Sequence, residues 1–159
     1  MKNLSYLVVI FISLFGCKSQ KKDALDSEKE TNSVVAVKEY KVPRLEYEAN
    51  TRGFYEKIII ENKMVTVSND RGGKPNGDPI SLSDDQNKEL SSYLKNVKLE
   101  ELATYKDPTQ KRFYDGAAIA NLKITTNGTE YKTVDFDHGN PPVEIEKLVN
   151  KITSFGTKR

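Results

Sequence analysis

Alternating apolar and polar positions begin just after residue 43 and predict a run of β-strands. The pattern places the first three strands at residues 45–49, 54–61 and 64–68. A two-residue turn at Asn62–Lys63 would bring four apolar side chains onto one face, in the pairs Ile60–Val65 and Ile58–Val67. Register and burial therefore agree for this hairpin. Residues 69–80, rich in Gly, Pro and Asn, predict a surface loop.

Two segments carry apolar residues at helical spacing. Ser83 and Gln86 form a capping box that predicts a helix start, followed by the stripe Leu90, Tyr93, Leu94 and Val97. Residues 99–105 predict one further short helical turn. A last helix is predicted after Asn140–Pro142 and before Gly156, with the stripe Ile145, Leu148, Val149, Ile152 and Phe155.

A second hairpin separates the two helices. Asn127–Gly128 favours a type I′ turn, which needs positive φ at both residues, and joins predicted strands at 117–126 and 129–136. The order of elements is strand, strand, strand, helix, strand, strand, helix. It predicts one α+β domain over residues 44–159, with a mostly antiparallel sheet of four to five strands and two helices packed on one face.

The first residues of the chain are typical of an export signal. Lys2 precedes an apolar run, and residues 4–16 are shorter than the roughly 20 residues that a spanning helix needs. The sequence Leu14-Phe15-Gly16-Cys17 resembles a lipobox, in which Leu14 and Gly16 fit the positions before the acylated cysteine. The resemblance implies a bacterial lipoprotein with residues 1–16 removed and fatty chains such as palmitate on Cys17. An ordinary secretory signal with a chance cysteine is the alternative.

A polar segment of mixed charge, residues 17–43, separates the cysteine from the domain. It lacks the apolar residues needed to form a core, so a flexible tether is expected, with Val34–Val37 as one potential short strand. Lys18 follows the cysteine, and in lipoprotein sorting signals a residue other than Asp here favours release. We therefore expect a cell-envelope location, anchored through lipid in the outer membrane and facing the periplasm.

Charge and composition exclude several function classes. Residues 44–159 hold 18 Lys and Arg against 18 Asp and Glu, so the domain lacks the basic excess of nucleic-acid-binding proteins. With one His and no free Cys, since Cys17 is expected to carry lipid, a Cys–His nucleophile and a Cys/His zinc site are excluded. Neither a G-x-S-x-G nor a G-x-G-x-x-G motif is present, and no cofactor is expected.

Two short segments are candidates for a functional site. Asp135, Asp137 and His138 cluster at a predicted strand end, where a carboxylate pair beside an imidazole suits metal binding or acid–base chemistry. In the predicted register both carboxylates share the core face with Leu122 and Ile124. The alternative is that the Asp side chains accept hydrogen bonds from backbone N–H groups and His138 shapes the turn.

Arg52, Gly53 and Phe54 form the second candidate, a turn after the first strand. With Leu82-Ser83 at a helix start, Asp115-Gly116 before a strand and the final hairpin and helix, it carries a distant resemblance. The domain resembles uncharacterised lipoprotein domains and emfourin, a small inhibitor of thermolysin-like metalloproteases. The resemblance implies an inhibitory turn that enters a protease cleft.

These observations favour a non-enzymatic binding module with a protein partner in the envelope. A metalloprotease inhibitor of the emfourin kind is the first alternative. A hydrolase that uses Asp135, Asp137 and His138 is the second, and it requires the three side chains to converge on an open pocket.

Overall fold

The structure is a computed structural model that describes residues 41–156. The predictions for the signal at residues 1–16, for Cys17 and for the tether up to residue 40 lie outside the described residues. Within the described part, no helix combines the length and apolar character needed to cross a membrane.

The described residues form one antiparallel sheet with two α-helices. The strands are β1 (Arg44–Thr51), β2 (Phe54–Glu61), β3 (Met64–Ser68), β4 (Ile80–Ser81), β5 (Ile119–Thr126), β6 (Thr129–Lys132) and β7 (Phe136–Asp137). The α-helices are α1 (Asp84–Leu94) and α2 (Glu146–Thr153), and short 3₁₀ helices cover Leu99–Thr104, Lys111–Tyr114 and Val143–Ile145. The strand order is β4-β3-β2-β1-β5-β6, with β7 also paired to β5. The predicted mixed fold with an antiparallel sheet is confirmed, with seven strands rather than four to five because β4 and β7 add two residues each.

The hairpin registers follow the apolar alternation. Ile60 pairs with Val65 and Ile58 with Val67, as predicted, and all four side chains are buried. Asn127 and Gly128 have φ of 49° and 77°, which confirms the type I′ turn between β5 and β6. Local spacing and turn chemistry therefore determine these pairings without help from distant parts of the chain.

The helices cover one face of the sheet and close a single apolar core. The predicted stripe of α2 and the 3₁₀ turn before it is buried throughout, at 4% exposure or less, at Ile145, Leu148, Val149, Ile152 and Phe155. The capping box of α1 is confirmed, since Gln86 N donates to Ser83 Oγ at 3.2 Å and Ser83 N donates to Gln86 Oε1 at 2.8 Å.

The opposite face of the sheet is polar and internally paired. The Glu46 carboxylate accepts from Lys57 Nζ at 2.9 Å and from Arg44 Nη2 at 3.0 Å, and Lys123 Nζ lies 3.6 Å away. Lys57 also approaches Glu48 at 3.6 Å. These ion pairs, within β1 and between neighbouring strands, leave a polar face on which opposite charges lie next to one another.

The prediction that residues 129–136 form one continuous strand is wrong. Lys132 pairs with Lys123, and Phe136 pairs with Ala120. The segment between β6 and β7 is therefore one residue longer than the matching segment of β5. Thr133 fills this β-bulge: its N–H donates to Leu122 O, and its Oγ1 accepts from Leu122 N, both at 3.0 Å. The extra residue reverses which face the following side chains occupy.

Two glycines at the second position of two-residue turns are expected to respond oppositely to alanine. A Cβ on either Gly53 or Gly128 would meet no atom within 4 Å, but only Gly128 has positive φ, at 77°. Gly128→Ala should cost about 1 kcal/mol of unfolding free energy, because alanine is strained there. Gly53→Ala should leave stability unchanged or raise it by up to about 1 kcal/mol, since it restricts the unfolded chain. Urea denaturation of both variants checks this, and effects of the same sign would contradict it.

Candidate functional site

One end of the sheet gathers most of the irregular segments of the domain. The turn between β1 and β2, the start of β5 at Ile119 and the end of β7 at Asp137 all lie at this end. We call it the Thr51 end, because β1 terminates there at Thr51. The chain enters the sheet at Arg44, at the opposite end of the same strand.

A buried carboxylate holds the loop before β5 against this end. Asp137 is fully buried and accepts from Thr109 Oγ1 at 2.5 Å, from the backbone N–H groups of Lys111 and Arg112 at 2.6 and 3.0 Å, and from Arg112 Nη1 at 3.1 Å. Burial alone would raise the pKa of Asp137, but these hydrogen bonds outweigh it and lower the pKa to about 2. Arg112 also donates to Asp107 at 2.5 Å. The segment from Asp107 to Arg112 is therefore tied to the sheet at several points.

The anchored loop carries two exposed aromatic side chains. Phe113 is 71% and Tyr114 is 73% exposed, directly after the residues that Asp137 holds. The Arg112 guanidinium stacks on the Phe113 ring at 4.4 Å from its centre. Large aromatic groups displayed on a fixed backbone are typical of protein interfaces, since little entropy is lost when they are covered.

His138 contacts Phe54 and so brings together the two candidate segments, which lie far apart in the sequence. Its Nδ1 lies 2.7 Å from the Tyr47 hydroxyl, and its ring centre lies 5.2 Å from that of Phe54. Burial, together with the charge of Glu56, raises the pKa of Tyr47, so the phenol stays protonated. Burial lowers the pKa of His138.

The turn beside Phe54 is braced from the β3–β4 loop. Arg71 donates from Nη2 to the carbonyl oxygens of Thr51 and Phe54, the latter at 3.2 Å, and stacks 5.5 Å above the centre of the Tyr55 ring. Phe54 is 36% exposed and Arg52 is exposed. The turn thus presents a cation and an aromatic ring from a supported backbone.

Glu56 is the least expected group at this end. It lies on the core face of β2, in step with Ile58 and Ile60, and is 8% exposed. Among the described residues none donates a hydrogen bond to its carboxylate or forms an ion pair with it. Its Oε1 occupies the space beside Gly156 where a Cβ would overlap it. Gly156 therefore serves close packing against Glu56, while Ser154 is the C-cap of α2.

The structure separates the three residues of the predicted Asp–His cluster. Asp135 is exposed and 3.4 Å from Asn121 Nδ2, Asp137 is enclosed by the loop on the face away from the helices, and His138 packs on Tyr47 and Phe54. The prediction that both carboxylates share the core face is wrong, because the bulge reverses the alternation. Nothing in this geometry favours the hydrolase, since Asp137 has its acceptor positions occupied. Within residues 41–156 no group of three or more His, Cys, Asp and Glu residues is placed so that it could hold a metal ion.

Tyr47 and Glu56 contribute to the site although the sequence did not single them out. Glu56 had a readable signal, since the two-residue period of β2 places this carboxylate on the face of Ile58 and Ile60. The partner of Arg112 had no local signal, because Asp137 lies 25 residues further along the chain.

Comparison with protein-family models, curated proteins and solved structures finds no match for this chain. The resemblance to emfourin therefore rests on the short segments quoted above. Function is inferred below from the side chains at the Thr51 end.

Replacing Glu56 should make stability depend less on pH. Burial raises the pKa of Glu56 above its ordinary value of 4.5. The folded state then holds this proton more tightly than the unfolded chain, so the stabilisation is complete below pH 4.5 and is lost as pH rises through the folded-state pKa. Glu56→Gln cannot ionise, so its unfolding free energy should exceed that of the wild type at about pH 8 and approach it near about pH 4.

Urea denaturation across this pH range measures the difference. Glu48→Gln, on the polar face of β1 beside Lys57, is the matched control and should not reproduce the gain at high pH. A Glu56→Gln effect that stays constant with pH would contradict the expectation.

Proposed function

We propose that this chain is a bacterial envelope lipoprotein whose globular domain binds a protein partner through the Thr51 end of its sheet. In this proposal residues 1–16 are the signal, Cys17 carries the lipid, and residues 17–43 tether the domain to the outer membrane on its periplasmic side. The domain acts as a non-enzymatic binding module, without a cofactor and without nucleic acid as a ligand.

The observation that carries the proposal is the set of exposed aromatic side chains on braced segments at one end. Phe113 and Tyr114 follow the backbone held by Asp137, and Phe54 lies on the turn held by Arg71. Preformed loops lose little freedom on binding, which leaves more of the contact energy as affinity. Phe and Tyr are also enriched at the centres of protein interfaces.

The distance between these side chains and the point where the chain enters the sheet supports the same proposal. The segment that precedes Arg44 joins the opposite end of β1, eight residues from Thr51 counted inclusively. A strand of this length spans about 25 Å. A partner at the Thr51 end would therefore not compete for space with the point at which the tether joins the sheet.

Site-specific photo-crosslinking tests the proposal. A photoreactive phenylalanine analogue placed at Phe54 or Phe113 should capture the same partner in intact cells. Met64 is the matched control, because it is 38% exposed, close to the 36% of Phe54, and lies at the other end of the sheet. Excess unlabelled wild-type domain should compete for the adduct, and Phe113→Ala domain should compete less well. Equal adducts from Met64, or none from Phe54 and Phe113, would refute the proposal.

A metalloprotease inhibitor of the emfourin kind is the second candidate, and the bracing of the Arg52–Phe54 turn favours it. Arg71 holds the carbonyl groups on both sides of the turn, and protease inhibitors gain affinity from such preorganised loops. The domain should then inhibit a thermolysin-like enzyme, and Arg71→Ala should weaken inhibition while Arg44→Ala, at the other end, should not. Absence of inhibition at about 100 μM domain would retire this candidate.

A further inference from the structure

The unpartnered Glu56 carboxylate marks a specific subsite within the Thr51 end. Other carboxylates of low exposure in the domain have cations: Glu46 pairs with Lys57 and Arg44, and Asp137 pairs with Arg112. Glu56, at 8% exposure, has no such neighbour among residues 41–156. A buried carboxylate without a partner is costly, so its presence in a folded protein calls for an explanation, and a bound group is one.

The carboxylate remains accessible despite its burial. In the described residues, every side-chain oxygen or nitrogen that is shut off from solvent has a hydrogen-bond partner. Because Glu56 has no partner, its oxygens must be among the atoms that still reach solvent. The carboxylate is therefore reachable from solvent although the residue is only 8% exposed, and an ion pair formed there is screened less than one on the open surface.

Two neighbouring features favour positive charge at the same place. Gly156 packs on Glu56 just beyond Ser154, the C-cap of α2, and the C-terminal end of a helix carries partial negative charge. Phe54 lies two residues before Glu56 on the same strand face, with its ring partly exposed and supported by His138. Aromatic faces attract ammonium and guanidinium groups. The only formal charge that this face of β2 presents here is negative.

We propose that Glu56 and Phe54 together receive one cationic side chain, a lysine or arginine of the partner protein, at the Thr51 end. The inference rests on the proposed function and gives the partner a chemical requirement. Without the cation, burial raises the pKa of the carboxyl. A bound cation stabilises the ionised carboxylate, so binding should lower that pKa and should tighten as pH rises.

A small-molecule probe tests this directly on the chain from Lys18 to Arg159. In the described part of the chain the core is formed by residues between Val42 and Phe155, so removal of the signal should not affect folding. Glutamate carboxyls are labelled with ¹³C, and the Glu56 signal is assigned by its loss in Glu56→Gln. The probe is N-acetyl-lysine N-methylamide at constant ionic strength, used at about 0.1 M because single ion pairs bind weakly. N-acetyl-norleucine N-methylamide is the uncharged counterpart.

The lysine probe should lower the apparent pKa of Glu56 by about half a unit or more, and the norleucine probe should not. The Glu48 carboxyl, on the polar face, reports general ionic effects in the same spectra and should move less. Phe54→Leu keeps an apolar side chain but loses the aromatic face, so probe affinity should fall about twofold to fivefold.

Three outcomes would overturn the inference. The first is an equal response to both probes or none to the lysine probe. The second is a response only after residues 157–159 are deleted, since Lys158 or Arg159 of the chain itself would then be the occupant. The third is an undiminished partner crosslink at Phe113 in the Glu56→Gln variant, which would remove this subsite but leave the proposed binding function standing.

Discussion

Asp137→Ala should lower the unfolding free energy by about 3–5 kcal/mol. The carboxylate accepts four hydrogen bonds while fully buried, from Thr109, from two backbone N–H groups and from the Arg112 guanidinium. Removal of the carboxylate leaves buried hydrogen-bond donors unsatisfied. It also leaves Arg112, whose side chain is 10% exposed, with Asp107 as its one remaining carboxylate partner among the described residues. A domain of this size has about 5–15 kcal/mol of stability in total, so the loss is severe.

Urea denaturation measures the loss, and amide hydrogen exchange locates it. The N–H groups of Lys111 and Arg112 should lose protection even if the rest of the sheet survives, because the loop would open locally. Asp135→Ala is the control two residues away, since Asp135 is exposed and makes one contact of 3.4 Å, and it should cost less than about 0.5 kcal/mol. Equal costs for the two substitutions would show that Asp137 does not anchor the loop.

The unfolding free energy lost on replacing Asp137 should also become smaller at lower pH. Because the folded-state pKa of Asp137 is about 2, its contribution is complete above the ordinary value of 3.8 and is lost as pH falls towards 2. The gap between wild type and Asp137→Asn should therefore narrow below pH 3.8. A gap that stays constant down to pH 2 would count against the ionised carboxylate as its source.

Cys17→Ser should move the protein entirely out of the lipid-anchored membrane fraction. In the proposed lipoprotein the lipid would be attached through a thioether, which forms at sulfur, and a hydroxyl would not substitute for the thiol. Two or more acyl chains anchor a protein stably whereas one binds marginally, so the difference should be nearly all-or-none. The variant should accumulate as an unprocessed precursor or be cleaved elsewhere and released.

Labelling with a fatty-acid analogue and membrane fractionation check this expectation. Wild-type protein should resist extraction by salt and yield to detergent, and the variant should carry no label. Ser19→Ala, two residues after the cysteine, is the control and should behave as the wild type. If the Cys17→Ser variant is still labelled and processed normally, the lipobox interpretation is wrong and the proposed location falls with it.

Local sequence was sufficient for most elements of the domain. Strand alternation placed Ile58 opposite Val67, the Asn127–Gly128 pair specified its turn, and Ser83 with Gln86 marked the start of α1. Each depends on residues within a few positions of one another, where backbone sterics and hydrogen bonding determine the outcome.

The candidate site depended on contacts that no local pattern contains. Phe54 and His138 are 84 positions apart in the sequence, as their numbers show, and meet only because β1 lies between β2 and β5 in the sheet. The sequence could nominate each residue separately, as part of a turn and as part of an acidic cluster. It could not place them in one site, because their contact follows from strand order.

The sequence by itself determined the class of fold, the hairpin registers and the apolar stripes of both helices, since periodicity directly dictates which side chains share a face. The tertiary structure decided the roles of the two carboxylates. The bulge at Thr133 turned Asp137 away from the core, and the loop from Asp107 to Arg112 closed over it and made it an anchor. Glu56 kept its place on the core face without a cation. The reason is physical: a carboxylate's role depends on the donors that surround it, and those come from distant segments of the chain.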